Sequence, residues 1–203
     1  MPQPTLTYFN FNGGRGEDCR LALHIAGVPF TDNRIAGKQW AELKPTTAYG
    51  GLPTLEIPGL GTLSQSNAIL GYIGRNHGLL PTDAFEAARH EGILLAVEEL
   101  RWKGAPSGSE KDPDKKKALR EELASGYLQR WAAAIEKQIG DGPFFGGDTI
   151  SVADLKVFVM VAFYRRGGMD HIEGTVFDAF GKLIAHHDAV KAHPAVQSWY
   201  AAH

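Results

Sequence analysis

The chain holds a single cysteine, Cys19, among 203 residues. One thiol cannot close an internal disulfide, so the fold stands without crosslinks and a reducing, cytoplasmic setting is expected. Cys19 belongs to no Cys-x-x-Cys pair, which excludes a dithiol redox motif, and its place inside a helical stretch predicts burial. Long apolar runs are missing too. The longest, from Val157 to Phe163, is far too short to cross a bilayer. Met1-Pro2-Gln3-Pro4-Thr5 has neither the basic nor the apolar block of a signal peptide. There is no excess of one charge: 21 Lys and Arg face 23 Asp and Glu, a formal net of −2. Neither nucleic acid nor an acidic membrane surface is therefore an expected partner. The eight histidines include His186-His187, but none is spaced with cysteine or carboxylates as a metal site requires, and no metal is expected. Gly13-Gly14-Arg15-Gly16 lacks the spaced glycines and the Lys-Ser/Thr end of a phosphate loop. Lys115-Lys116-Lys117 reads as a solvated helix face.

What is present is an ordinary globular composition, 43% hydrophobic and rich in glycine, long enough for one or two domains. The first part alternates strand and helix signals. Thr5 to Phe9 is rich in β-formers, a Gly-rich turn follows, and Glu17 to Ala26 reads as a helix with Leu21, Leu23 and Ile25 on its apolar side. Phe30 to Ile35 is a second strand and Trp40 to Lys44 a short helical piece. Thr54 to Ile57 and Thr62-Leu63 are strands joined by the hairpin signal Pro58-Gly59-Leu60-Gly61, and Ser66 to Asn76 is a helix. The order is β-α-β-α-β-β-α. Pro81-Thr82-Asp83 reads as a linker, which predicts an α/β domain over residues 1–78 and an all-α domain over 85–203. In the second domain, helices are expected over Glu86–Trp102, Lys115–Ile139 (irregular at Gly126), Val152–Tyr164, Phe177–Ala192 and Ala195–Ala201, with Gly104–Pro113 and Gly140–Gly147 as loops. Ser151 and Asp154 form a capping box, flanked by Ile150 and Leu155 as a hydrophobic staple. Such a cap contributes roughly 1 kcal/mol, and it is a folding device without a catalytic role.

This order of elements, with Leu6-Thr7-Tyr8-Phe9-Asn10, Ala26-Gly27-Val28-Pro29-Phe30, Trp40 with Lys44, Gly51-Leu52-Pro53-Thr54-Leu55 and Gln65-Ser66-Asn67-Ala68-Ile69, resembles the cytosolic glutathione transferases. The tyrosine-type classes, and sigma most closely, share the segment around Tyr8. The resemblance covers nearly the whole chain and is strongest in the first domain. It implies a thioredoxin-like glutathione-binding domain followed by an all-α domain that contributes an apolar-substrate site. It also implies a homodimer with glutathione as cosubstrate and no metal.

The chemistry the resemblance implies is thiol activation. A free thiol ionises near pH 8.5, at about the value where only a few per cent is thiolate at neutral pH. A neutral hydroxyl that donates a hydrogen bond to sulfur favours the charged form. Tyr8 occupies the family's place for that hydroxyl, at the end of the first strand. Leu52-Pro53 matches the cis-proline turn, where the main chain of Leu52 pairs strand-like with the cysteinyl unit of glutathione. Gln65 and Ser66, at a helix N-terminus, hold the γ-glutamyl carboxylate. Trp40 and Lys44, one helical turn apart, offer an indole N–H and an ammonium to the glycyl carboxylate. Arg15 supports the tyrosine or the tripeptide. Glu99 reaches the γ-glutamyl ammonium from the partner subunit. Phe11, Trp102 and Met160 are candidate walls of the apolar groove. The loop Phe11-Asn12-Gly13-Gly14-Arg15 is one residue longer than is typical of the sigma class, which leaves Asn10 or Asn12 as alternative donors to sulfur. The reaction implied is conjugation of glutathione to an apolar electrophile. A glutathione-dependent isomerase or peroxidase, or a non-catalytic binder of apolar ligands, are the alternatives.

Overall fold

The computed structural model describes residues 2–203. β1 (Thr5–Phe9) alternates half-buried and buried positions, so Leu6 and Tyr8 share one face of the sheet. It runs parallel to β2 (Thr31–Ile35) and antiparallel to β3 (Thr54–Ile57), which forms a hairpin with β4 (Gly61–Ser64). The four strands lie in the order β2-β1-β3-β4. The hairpin closes where expected: the Leu60 amide donates to the Ile57 carbonyl at 3.0 Å, and Gly59 takes a φ of +81°. With α1 (Gly14–Ile25), α2 (Gly37–Leu43) and α3 (Ser66–His77), the first part has the predicted β-α-β-α-β-β-α order.

Six helices follow: α4 (Ala84–Ser109), α5 (Pro113–Ser125), α6 (Tyr127–Glu136), α7 (Val152–Arg165), α8 (Gly181–Ala192) and α9 (Pro194–Ala202). Asp83, the last residue of the predicted linker, is the N-cap of α4; its carboxylate accepts from the amides of Phe85 at 3.1 Å and Glu86 at 2.9 Å. Among the described residues no helix is long and apolar enough to cross a membrane.

Three readings of the second part need correction. The stretch from Gly104 to Ser109 is the last turn and a half of α4, not loop. Pro106 and two glycines argue against helix locally, but Ser107 donates to the Gly104 carbonyl at 2.8 Å, and Gly104 sits against Met169 and Leu123, where only a small residue fits. The helix expected over Lys115–Ile139 is two helices, because Gly126 leaves helical geometry with φ −107° and ψ −89°. α8 begins at Gly181 rather than at Phe177, whose ring is fully buried in the preceding turns.

α7 is the core of the helical half, buried at every position from Val152 to Val161. It packs on α1, α4 and α8, while α1 also lies on α3 and the sheet. α1 is thus enclosed on both sides. Its charged residues Glu17, Asp18 and Arg20 are fully buried, so the helix has no solvated polar side opposite Leu21 and Leu23. Each charge is paired: Arg20 meets Glu17 at 3.3 Å and Asp32 at 2.9 Å, and Trp199 on α9 donates to Glu17 at 2.8 Å. Cys19 lies in the same helix with no exposure, as expected, and burial first, then Asp18, push its thiol well above the ordinary range.

The capping box at the start of α7 is present. The Ser151 amide donates to the Asp154 carboxylate at 2.7 Å, and the Ser151 hydroxyl donates to it at 2.6 Å.

Candidate active site

Tyr8 is near the end of β1, 7% exposed, with its ring against the first turn of α1. The loop that follows is pinned from α1: Arg20 donates to the carbonyls of Phe9 at 3.1 Å and Phe11 at 2.9 Å. Gly13 and Gly14 take φ values of +149° and +63°, which let the chain turn into the helix beside the tyrosine. A methyl group on Gly14 would stand 2.7 Å from the Tyr8 hydroxyl, so absence of a side chain there keeps the phenol approachable. The Tyr8 hydroxyl is held above its ordinary pKa. Burial is the main cause and Asp18 adds to it, while Arg101, Arg15 and the Arg15 backbone work the other way. The phenol is therefore neutral at physiological pH and retains a proton to donate.

Beside it lies a charge cluster that the sequence reading did not assemble. Arg15 donates from Nε to Glu98 of α4 at 2.8 Å. The other Glu98 oxygen meets Lys156 Nζ at 2.7 Å and Arg101 at 2.8 Å. Arg101 and Lys156 both reach Asp18 of α1, at 3.1 Å and 3.3 Å. Lys156 also donates to the Ser66 hydroxyl at 3.1 Å, and Ser66 faces Glu98 at 3.4 Å. Asp18 and Lys156 are fully buried, and Ser66 is 3% exposed. Arg15, Arg101 and Lys156 face only Asp18 and Glu98, so the cluster carries one surplus positive charge at the N-terminus of α3. Helix geometry adds to that potential.

Burial pushes the Glu98 carboxyl up, but Lys156, Arg101 and Arg15 together outweigh it and hold the group down at about 2. A depressed carboxylate adds stability that is present above its unfolded value of 4.5 and is lost as pH falls toward 2. Wild type is accordingly expected to lose stability more steeply than Glu98→Gln across that interval. Urea midpoints at stepped pH would show it, and parallel curves for the two proteins would refute it.

The other predicted residues fall in distinct places. Leu52-Pro53 is a cis peptide, half-buried at Leu52 and buried at Pro53, immediately before β3. Gln65 is exposed and adopts φ +73°, an unusual backbone state for a non-glycine residue, directly before Ser66. Trp40 is half-buried on α2 with its ring edge-on to Phe9 at 6.0 Å; Lys44 is exposed one turn later. Among the described residues neither side chain bonds to the Tyr8–Ser66 cluster. Asn12 is drawn away from Tyr8: its amide accepts from Arg34 at 2.7 Å and donates to the His203 carbonyl at 3.1 Å. Asn10 is exposed and its amide continues the β1 pairing with Ile35 at 3.2 Å. Glu99 is exposed on α4 beside Tyr127, and within this protomer Glu98 is the acid that meets Ser66.

Asp18, Arg101 and Lys156 went unnoticed in the sequence. One signal was available: Lys156 is the lone charge in the otherwise apolar run from Leu155 to Phe163. A lysine so placed must be paired or must snorkel out.

An apolar cavity of about 550 Å³ opens beside Tyr8, between the Phe11 loop and helices α4 and α7. Phe11, Leu100, Val159, Met160 and Phe163 form its walls, and the Phe11 ring lies 5.5 Å from that of Tyr8. Of the three guessed wall residues, Phe11 and Met160 line it. Trp102 does not; it is 70% exposed on another face of α4.

Residues 4–75 match a family model described as glutathione S-transferase, N-terminal domain, and residues 99–203 one described as glutathione S-transferase, C-terminal domain. The chain is 33% identical to Glutathione S-transferase 1 of Ascaris suum, over 99% of this chain and 97% of that one. It is 29% identical to the hematopoietic prostaglandin D synthase of Gallus gallus, over 98% of this chain and 96% of that one. The solved prostaglandin synthase D of Nilaparvata lugens superposes with a TM-score of 0.87 at 29% identity, covering 98% of both chains.

Proposed function

Because the chain belongs to the glutathione S-transferase family and is a glutathione transferase, we propose that Tyr8 is its thiol-activating group. The observation that carries this is a buried, neutral phenol whose hydroxyl adjoins Gly14, a glycine in the wall of an apolar cavity. The hydroxyl donates to the glutathione sulfur and stabilises the thiolate. The thiolate attacks an electrophilic carbon held in the cavity, forming a C–S bond as a leaving group departs or a conjugated double bond takes up the electron pair. Holding both reactants at one place supplies orientation, and the fixed donor supplies charge stabilisation.

The rest of the tripeptide follows the cluster. The surplus positive charge beside Ser66 suits the γ-glutamyl carboxylate, with Gln65 and the free amides of α3 completing its donors. The unusual backbone of Gln65 supports a functional reading of that turn. The Leu52 main chain pairs with the cysteinyl unit, and Trp40 and Lys44 take the glycyl carboxylate. Arg15 orients Glu98 and supports the tyrosine or the tripeptide, while the Arg20 guanidinium lies over the Tyr8 ring at 5.7 Å. In a homodimer Glu99 reaches the partner's glutathione. Leu95 and Trp102, exposed on the same face of α4 as Glu99, are apolar surface that a second copy would cover. A single buried thiol fits a cytoplasmic enzyme.

The relatives named prostaglandin D synthase favour a second reading, isomerisation in which the thiol is regenerated. Counting glutathione consumed per product separates the two.

The direct test is the thiolate absorbance of bound glutathione as pH is varied, in wild type and in Tyr8→Phe. A depression of two pKa units corresponds to about 2.7 kcal/mol. The wild-type curve is expected well below that of free glutathione, and the mutant curve is expected back near it. Tight binding with superimposable curves would remove Tyr8 from the role.

A further inference from the structure

The apolar cavity has two charged residues in its wall, and they differ in what they face. Arg101 is spent on Asp18 and Glu98. Arg166, which caps the C-terminal end of α7, has no carboxylate partner among the described residues; its guanidinium donates to the Asn12 carbonyl at 3.2 Å. No acidic side chain lines the cavity. Its one uncommitted charge is therefore positive, at the end of α7 and hydrogen-bonded to the loop that carries the extra residue after Tyr8.

We infer that the cavity selects electrophiles that carry an anionic group, a carboxylate above all, and that Arg166 is the residue that recognises it. This rests on the glutathione transferase reading of the site and adds the charge of the second substrate. The geometry sets the reach. A methyl group on Gly14 would lie 2.7 Å from the Tyr8 hydroxyl, and one on neighbouring Gly13 would lie 2.7 Å from an Arg166 nitrogen. Consecutive Cα atoms are about 3.8 Å apart, so the guanidinium lies within about 12 Å of the hydroxyl. A substrate with an apolar body in the cavity and a carboxylate no farther than that from its reactive carbon can contact both. The guanidinium fork matches a carboxylate in two parallel hydrogen bonds, and the remaining walls are apolar. A neutral electrophile fills the same walls and leaves Arg166 in solvent.

A matched pair of probes isolates the charge: ethacrynic acid, an α,β-unsaturated ketone with a carboxylate at its far end, and its methyl ester. In both, the thiolate adds to the terminal methylene carbon. The C–S bond forms, the carbon–carbon π pair moves to the ketone oxygen, and the resulting enolate takes a proton from water at carbon; nothing is oxidised or expelled. The expected result is that wild type prefers the acid over the ester, and that Arg166→Met lowers the acid-to-ester ratio of kcat/KM about tenfold, mainly through KM for the acid. Arg166→Lys, which keeps the charge but loses the fork, falls between. An unchanged ratio in Arg166→Met overturns the inference. So does an equal loss on both probes, which would make Arg166 a support for the Asn12 loop. If wild type conjugates neither probe and leaves the glutathione thiol unperturbed, the transferase assignment of the site itself fails. If it conjugates the ester as well as the acid, only the charge selection fails.

Discussion

Replacing Gly16 by alanine is expected to cost about 100-fold or more in kcat/KM and to destabilise the protein by several kcal/mol, against the helix preference for alanine. Gly16 lies inside the first turn of α1, where alanine is ordinarily worth about 1 kcal/mol more than glycine. Here the sign reverses, because the new Cβ would stand 2.1 Å from Tyr8 Cδ1, 2.2 Å from Cγ and 2.7 Å from Cβ. Carbon atoms rest about 3.5–4.0 Å apart, so ring and helix cannot keep their places together. Overpacking of this kind costs about 1–3 kcal/mol and sometimes more. The larger consequence is functional. Tyr8 is buried between sheet and helix, and its ring can yield only by moving along the path that carries its hydroxyl. A displacement of about 1 Å at a catalytic group can cost on the order of 100-fold in rate. The measurements are kcat/KM with saturating glutathione and a urea midpoint, each in the wild-type and the Tyr8→Ala background. Removing the ring takes away the two nearest contacts, so the stability penalty of Gly16→Ala should shrink in that background. A Gly16→Ala enzyme of near-normal activity would mean that Tyr8 tolerates displacement and is not the activating group.

The second large effect lies away from the reaction. Asp154→Ala is expected to destabilise the protein by about 3–5 kcal/mol, the range for removing one member of a buried, charge-assisted network. Asp154 has no exposed surface. Its carboxylate accepts from the Ser151 amide at 2.7 Å, the Ser151 hydroxyl at 2.6 Å, the Phe145 amide at 2.9 Å and His186 Nε2 at 2.7 Å. Deleting it leaves the amides of Ser151 and Phe145 and the His186 ring buried without this acceptor, with only the Ser151 hydroxyl keeping a partner in His90 at 3.1 Å, and each such group is costly in a dry interior. It also unties the Phe145 loop from the start of α7, the helix at the centre of the second half. At about 2–4 °C per kcal/mol for a chain of this size, the melting temperature should drop by roughly 10 °C. Asp154→Asn keeps the shape but weakens the acceptor, and should fall between the two. A melting temperature within about 2 °C of wild type for Asp154→Ala would show that the loop repacks around the loss.

The capping box and the first-domain order were legible because both are written in short-range chemistry. Ser151 and Asp154 are three residues apart, and one helical turn brings them together whatever surrounds them. Strand alternation in Thr5–Phe9 and the glycine punctuation of the hairpin work in the same local way. The failures have the opposite character. α4 runs on through Pro106 because Gly104 and Ser107 on either side of it are buried and the Ser107 hydroxyl donates to the Gly104 carbonyl, and packing on that side overrides the propensity of a proline. The burial of Glu17, Asp18 and Arg20 on α1 was not legible either; they are paired with β2, α4, α7 and α9.

The candidate site divides along the same line. Tyr8, Leu52-Pro53 and Gln65-Ser66 were picked out by motifs that lie contiguous in the chain. The cluster that surrounds Ser66 joins Asp18 to Arg101 across 83 residues and to Lys156 across 138. No periodicity or spacing signals a contact between residues that far apart, and a charge alone does not say whether it will meet a partner or water. The extra loop residue is a similar case. The sequence raised Asn12 as a rival donor, and only its bonds to Arg34 and His203 took it away from Tyr8. By itself, then, the sequence determined the family and the order of elements in the first part and pointed to Tyr8 as the candidate, since these follow from local propensity and short motifs. The choice of Glu98 as the acid that meets Ser66, the buried cations that hold it, and the unpaired Arg166 at the cavity rim were decided by tertiary structure, because burial and long-range pairing exist only once the two halves of the chain are packed together.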